Sequence, residues 1–157
     1  MAEPGDPTLE AVGAILRRLV HVEKVDRSRI AVLTGCSLAR SAVWRQRRFR
    51  GDLALWNGHV DTAGRSLRLA ADAVPAQPPR TILCETIHRF KGLETDVAVL
   101  VELRADDARL PRLLYVGASR AKHHLVAVVT PEVARMVGSI ARAAQGGAAP
   151  TSPAEGT

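Results

Sequence analysis

Aromatic residues are scarce in this sequence. Two Trp, two Phe and one Tyr make up 3% of 157 residues, so a core of ordinary packing density must be aliphatic. Lysine is scarcer than arginine: Lys24, Lys91 and Lys122 are the three lysines among 22 basic residues. Two cysteines, Cys36 and Cys84, stand far apart with no Cys-x-x-Cys spacing, which argues against a zinc ribbon and a disulfide framework. The five histidines are scattered, and the adjacent His123 and His124 would point to opposite faces of a strand, so no metal site is expected. No apolar run approaches the roughly 20 residues of a membrane span. The start, Met-Ala-Glu-Pro-Gly-Asp, lacks the basic and apolar regions of a secretion signal. A soluble, cytoplasmic protein without a membrane partner is the expectation. There is also no Gly-Lys pair, hence no P-loop, and no Asp-Glu dipeptide to hold Mg²⁺.

What is present fits one domain. The length is enough to bury a real core, and an apolar fraction of 46% argues against a disordered chain. The net charge of +6 and a pI of about 10.3 favour polyanion partners, although a general preference for arginine explains the charge equally well.

Asp6-Pro7 is a helix start, with Asp6 as N-cap and Pro7 at the first position, and Leu9, Val12, Leu16 and Leu19 carry the helix to about His21. Ile30 to Thr34 reads as a buried strand, and Ser37 as the cap of a helix through Trp44. Residues 57–80 are broken by glycine and proline, with a short helix expected around Ala63 to Ala71. Strands are expected at Thr81 to Ile87, Asp96 to Glu102 and His124 to Val129. Pro111 opens a helix between the last two, and Pro131 to Ile140 forms another. The Ala-, Gly-, Pro- and Ser-rich stretch 143–157 is expected to be a disordered tail after a domain over 1–142. Strands alternating with helices imply an α/β fold with a parallel sheet covered on both faces. Ligands of such sheets sit at the carboxyl ends of strands, where both motifs described next are expected to lie.

The first motif is Thr86-Ile-His-Arg-Phe-Lys-Gly-Leu-Glu94. Gly92 would let backbone N–H groups approach a phosphate, Lys91 adds a point charge, and Glu94 could accept from ribose hydroxyls. A surface turn with solvated Lys and Glu accounts for the tetrapeptide alone. The second motif is Leu114-Tyr-Val-Gly-Ala-Ser-Arg-Ala-Lys122. Near a helix end, Arg120 could swing its planar fork toward a phosphate on a neighbouring domain, or merely complement the helix dipole.

Taken together, in this order and separated by the apolar run Val97 to Val101, the two segments resemble motifs V and VI of UvrD-like superfamily 1 DNA helicases. The resemblance covers Thr81 to Val129 and weakens upstream to Ile30. It implies a three-layer RecA-like domain, the second of the helicase, without a P-loop of its own. It also implies ATP shared with a first RecA-like domain supplied in cis or in trans, which holds the Mg²⁺. By resemblance Arg120 is the arginine finger, Gly92 lies near the γ-phosphate with Lys91, Glu94 meets the ribose, and Thr86 and His88 approach single-stranded DNA. Leu33 to Arg40 faintly resembles motif IV, which would give Arg40 a triphosphate contact. Gly117 and Ser119 stand where the family commonly has Ala and Thr.

Two further features stay open. Arg45, Arg47 and Arg48, with Arg50 and the interleaved Trp44, Phe49 and Trp56, could pair phosphates and stack bases, or form a solvated face with inward aromatics. Val99 to Glu102 superficially resembles a Walker B strand but lacks its acidic pair. The chain thus reads as the DNA-touching, nucleotide-sensing half of a motor, inactive as an ATPase alone. The alternative is a non-catalytic nucleic-acid or protein-binding module on the same fold. A chance match by another nucleotide-binding α/β protein is disfavoured by the lack of a glycine-rich fingerprint.

Overall fold

A computed structural model describes residues 5–146. Its first element, α1 (Pro7–Arg17), starts as its capping residues require: the Asp6 carboxylate accepts from Thr8 N at 2.8 Å and Pro7 opens the helix. The helix runs on through a wider turn over Arg18–Val22. Strand β1 (Ile30–Thr34) is buried along its whole length.

The strands form one sheet of six. After β1 come α2 (Ala42–Gln46), a hairpin of β2 (Arg48–Phe49) and β3 (Leu53–Trp56), then β4 (Thr81–Thr86) and β5 (Thr95–Val101). Helix α3 (Leu110–Ala118), strand β6 (Ala121–Ala127) and α4 (Pro131–Gly146) complete the chain. The order across the sheet is β2-β3-β4-β1-β5-β6, parallel except for the antiparallel β2. The fold is α/β with a mostly parallel mixed sheet, consistent with a RecA-like domain.

Side-chain parity assigns the two faces. Ile30, Val32, Val97 and Val99 pack with Val12, Leu16 and Trp44 of α1 and α2. Ala31, Leu33, Ala98 and Leu100 face the other way, toward Leu110 of α3 and Val133 of α4. A period of two separates these cores, so β1 and β5 are apolar on both sides. The connection from β4 to β5 crosses on the second face, with Ile87 and Phe90 buried there.

Several local expectations are corrected. No helix forms over 63–71. Asp61 instead accepts from Ala63 N and Arg65 N, closing a side-chain-stabilised turn that competes with helix. The β2–β3 hairpin was not anticipated, because β2 has two residues and too little alternation to detect. Ser37 opens only a single 3₁₀ turn; Ser41 caps α2, accepting from Trp44 N at 2.9 Å. Strand β6 begins at Ala121, three residues earlier than expected. Helix α4 continues to Gly146, through the first four residues assigned to a tail; 147–157 lie outside the described residues. No helix among the described residues is long and apolar enough to cross a membrane.

Candidate functional site

Strand direction divides the suspected residues between two opposite edges of the sheet. Thr34, Thr86 and Val101 end β1, β4 and β5 at the carboxyl edge, whereas Ile30, Thr95 and Ala121 begin strands at the amino edge. The motif Thr86 to Glu94 starts at the first edge and, being the β4–β5 connection, finishes at the second. The expectation that both motifs gather at carboxyl ends is therefore corrected. Thr86 and His88 lie there; Lys91, Gly92, Glu94 and Arg120 do not.

At the amino edge the two motifs meet. Thr95 N donates to Arg120 O at 2.9 Å, and Thr95 pairs with Ala121 as β5 and β6 begin. The half-buried Arg120 guanidinium donates from Nη1 to Leu93 O and from Nε to Val116 O, both at 3.3 Å. Lys122 Nζ lies 3.2 Å from Glu94 Oε2. Lys91, Gly92, Leu93 and Glu94 are all exposed. Gly92 has φ +85, and a Cβ added there would meet nothing within 4 Å. Its glycine is thus required by backbone conformation, and the space above it is open to a phosphate or a neighbouring domain. Beside this group, Arg29 is hydrogen-bonded to Asp96 and holds that carboxyl below the usual carboxylate range.

The carboxyl edge holds a cavity of about 420 Å³, walled by the loops after β1, β3, β4 and β5. Thr86 and His88 line it, with Arg40, Arg89, Arg104 and Arg109. Arg40 is exposed at the end of its 3₁₀ turn. It therefore shares an edge with the expected DNA residues, not with Gly92, Glu94 and Arg120, and a triphosphate contact common to all four is not supported by this arrangement. Arg104 and Arg109 are partly neutralised by Asp106 and Asp107 at 2.7 and 2.9 Å. Arg89 donates to Ser66 Oγ at 3.3 Å. The sequence reading missed Arg89, which stands inside the first motif without an assigned role, and Arg104 and Arg109, which carry no local motif; only the convergence of four loops makes them neighbours.

Beneath the cavity lies a polar floor. Glu102, at the end of the strand that resembled Walker B, has φ +56 and directs its carboxylate under α2. It accepts from Ala42 N at 2.7 Å, Ser41 Oγ at 2.6 Å and Thr34 Oγ1 at 2.8 Å. That set of donors makes Glu102 a structural clamp between β5, β1 and α2. Burial pushes the Cys36 thiol beside it upward in pKa, with Glu102 adding to the shift. No cluster of three or more His, Cys, Asp or Glu that could hold a metal occurs among the described residues.

The 45–50 segment divides as well. Trp44 is 3% exposed, which leaves no face for a base, and the half-buried Phe49 packs against the core. Arg47 is bonded to Thr62 O and lies 5.5 Å from the Trp44 ring centroid, which ties down the loop after β3. Arg45, Arg48 and Arg50 are exposed, without side-chain partners among the described residues. Trp44 and Phe49 thus have a packing role, and the charge of Arg45, Arg48 and Arg50 remains available to a polyanion.

No curated protein matches this chain by sequence. Residues 81–128, from the start of β4 to the residue after β6, match the family model of the UvrD-like helicase C-terminal domain. The match spans both motifs, both edges and the Arg120–Leu93 contact, so over these residues the chain is similar to a piece of a UvrD-like helicase C-terminal domain.

Proposed function

We propose that this chain serves as the second RecA-like domain of an ATP-dependent DNA helicase, with ATP at the amino edge and single-stranded DNA at the carboxyl edge. The observation that carries the reading is the joining of the two motifs through Arg120 and Leu93, beside the Glu94–Lys122 pair. Arg120 is the finger, stabilising charge that develops on the transferring phosphoryl group. Gly92 and Lys91 approach the phosphates from the open side, and Glu94 accepts from the ribose. The P-loop and Mg²⁺ belong to a first RecA-like domain, in cis or in trans. Thr86, His88 and the cavity arginines hold the DNA backbone, with Arg45 and Arg48 as a lesser electrostatic surface. ATP hydrolysis would thus be sensed at one edge and DNA held at the other, with β5 and its neighbours as the rigid link.

The test is turnover. The purified chain is expected to hydrolyse no ATP above background, with or without single-stranded DNA, and to gain turnover when joined to a first RecA-like domain. Turnover by the chain alone, abolished by Arg120→Ala, would overturn the half-motor reading.

One observation favours a second reading, a nucleic-acid-binding module without a motor. Four loops of this chain converge on the cavity, whereas 91–94 are exposed. DNA binding that persists while no first domain restores turnover would select it.

A further inference from the structure

Glu85, the penultimate residue of β4, is 7% exposed and lines the cavity. Its Oε2 accepts from Asn57 Nδ2 at 2.9 Å and its Oε1 from Thr86 N at 2.8 Å. Asn57 is itself fixed, donating to Cys84 O at 2.7 Å and accepting from His59 N at 2.8 Å. The carboxylate is therefore held in one orientation. An ionised carboxylate offers about four lone-pair sites, and one on each oxygen stays unused. Four arginines line the same cavity, yet none forms an ion pair with Glu85 among the described residues. A buried acceptor with unused capacity favours a ligand that brings N–H donors.

Resting on the reading of this edge as the single-stranded DNA site, we propose that Glu85 reads a base, and that guanine is the base it prefers. A cavity of about 420 Å³ has room for one nucleotide unit. The arginine rim suits its phosphate, and the Glu85 carboxylate suits a base edge with two adjacent donors. Guanine presents N1–H and the N2 amino group side by side on its Watson–Crick edge. Cytosine and adenine offer one amino group each. Thymine offers a single N–H between two carbonyl oxygens, which a carboxylate repels. The order expected is guanine first and thymine last, a specificity set by one side chain in an otherwise sequence-neutral groove.

Fluorescence anisotropy on the full chain tests this at low salt, with an oligothymidylate and the same oligomer carrying one central guanine, inosine, or a guanine analogue with carbon in place of N7. Guanine and the N7 analogue should bind about tenfold more tightly than thymine, and inosine, lacking the amino group, should fall between. Glu85→Gln should bring the guanine and thymine affinities together. The natural-sequence measurements with base analogues stand even if that variant fails to fold. Equal affinity for all four oligomers, or a preference lost on replacing N7, would overturn base reading by Glu85 while leaving DNA binding intact. Absence of binding to every oligomer would instead overturn the DNA reading of this edge, and the base preference with it.

Discussion

The Arg120 side chain is held by the backbone of the motif it is meant to work with: its Nη1 donates to the Leu93 carbonyl, one residue beyond Gly92 and one before Glu94. A guanidinium has five N–H donors in a fixed fork, and these two carbonyl contacts occupy only Nε and Nη1. Among the described residues the remaining donors have no partner, while the side chain is already oriented. Preorganisation of this kind is what electrostatic stabilisation of a transition state requires.

In an enzyme completed by a first RecA-like domain, Arg120→Ala should cut turnover by about 10³-fold or more, with a far smaller fall in nucleotide affinity. Arg120→Lys keeps the charge but loses the fork, and should not rescue turnover. Glu94→Ala should weaken nucleotide binding more than chemistry, because a ribose contact is alike in ground and transition states. Steady-state kinetics and nucleotide titration on the three variants check this; near-normal turnover in Arg120→Ala would leave that residue a helix-end charge.

Binding of single-stranded DNA should be weak and salt-sensitive, and the two arginine surfaces should contribute unequally. Arg40→Ala with Arg89→Ala, in the cavity, should weaken binding more than Arg45→Ala with Arg48→Ala, and both pairs should flatten the dependence on salt. Affinities measured across a salt series decide it. A larger loss from the 45/48 pair would move the DNA off the carboxyl edge.

Gly64→Ala should destabilise the fold by about 3 kcal/mol or more. Gly64 has φ +78, and a Cβ there would stand 2.4 Å from Ala39 N and from Leu38 C. These are backbone atoms that no rotamer change can move aside. Urea denaturation measures the loss; a change within about 0.5 kcal/mol would mean that the loop after β3 is free to retreat from the cavity.

Glu102→Ala should cost about 2–3 kcal/mol by leaving Thr34, Ser41 and the first N–H groups of α2 without their acceptor. Because that cost is one of folding, any loss of function in this variant should track its unfolded fraction. In an enzyme completed by a first RecA-like domain, lost turnover in a fully folded Glu102→Ala would restore the Walker B comparison.

The thiols should report the same packing. Burial raises the pKa of Cys84 and of Cys36, so little thiolate exists at neutral pH in the folded chain. Cys84 is fully buried and should be unreactive toward a disulfide reagent until the chain unfolds, whereas Cys36 should react slowly. In denaturant both should react at once. Fast native labelling of two thiols would mean that the sheet opens at β4.

The amino-acid sequence alone determined much of the local structure and the resemblance to a UvrD-like helicase C-terminal domain over 81–128. Asp6-Pro7 started α1 where a cap and a proline require it, alternation along Ile30 to Thr34 and Val97 to Val101 set two apolar faces, and the two motifs stood at a spacing that identified them. These are properties of residues a few positions apart, governed by nearby hydrogen bonds and side-chain periodicity. Which edge each residue occupies was decided only in three dimensions. The order of the strands puts Arg40, Glu85, Arg89 and Arg104 around one cavity, although 64 positions separate the first from the last. The sense of β4 and β5 carries a single nine-residue motif from one edge to the other. In sequence the missing acidic pair sets Glu102 apart from a Walker B carboxylate but gives it no role. Its role comes from Thr34 and Ser41, which reach it only when β1 and β5 pair.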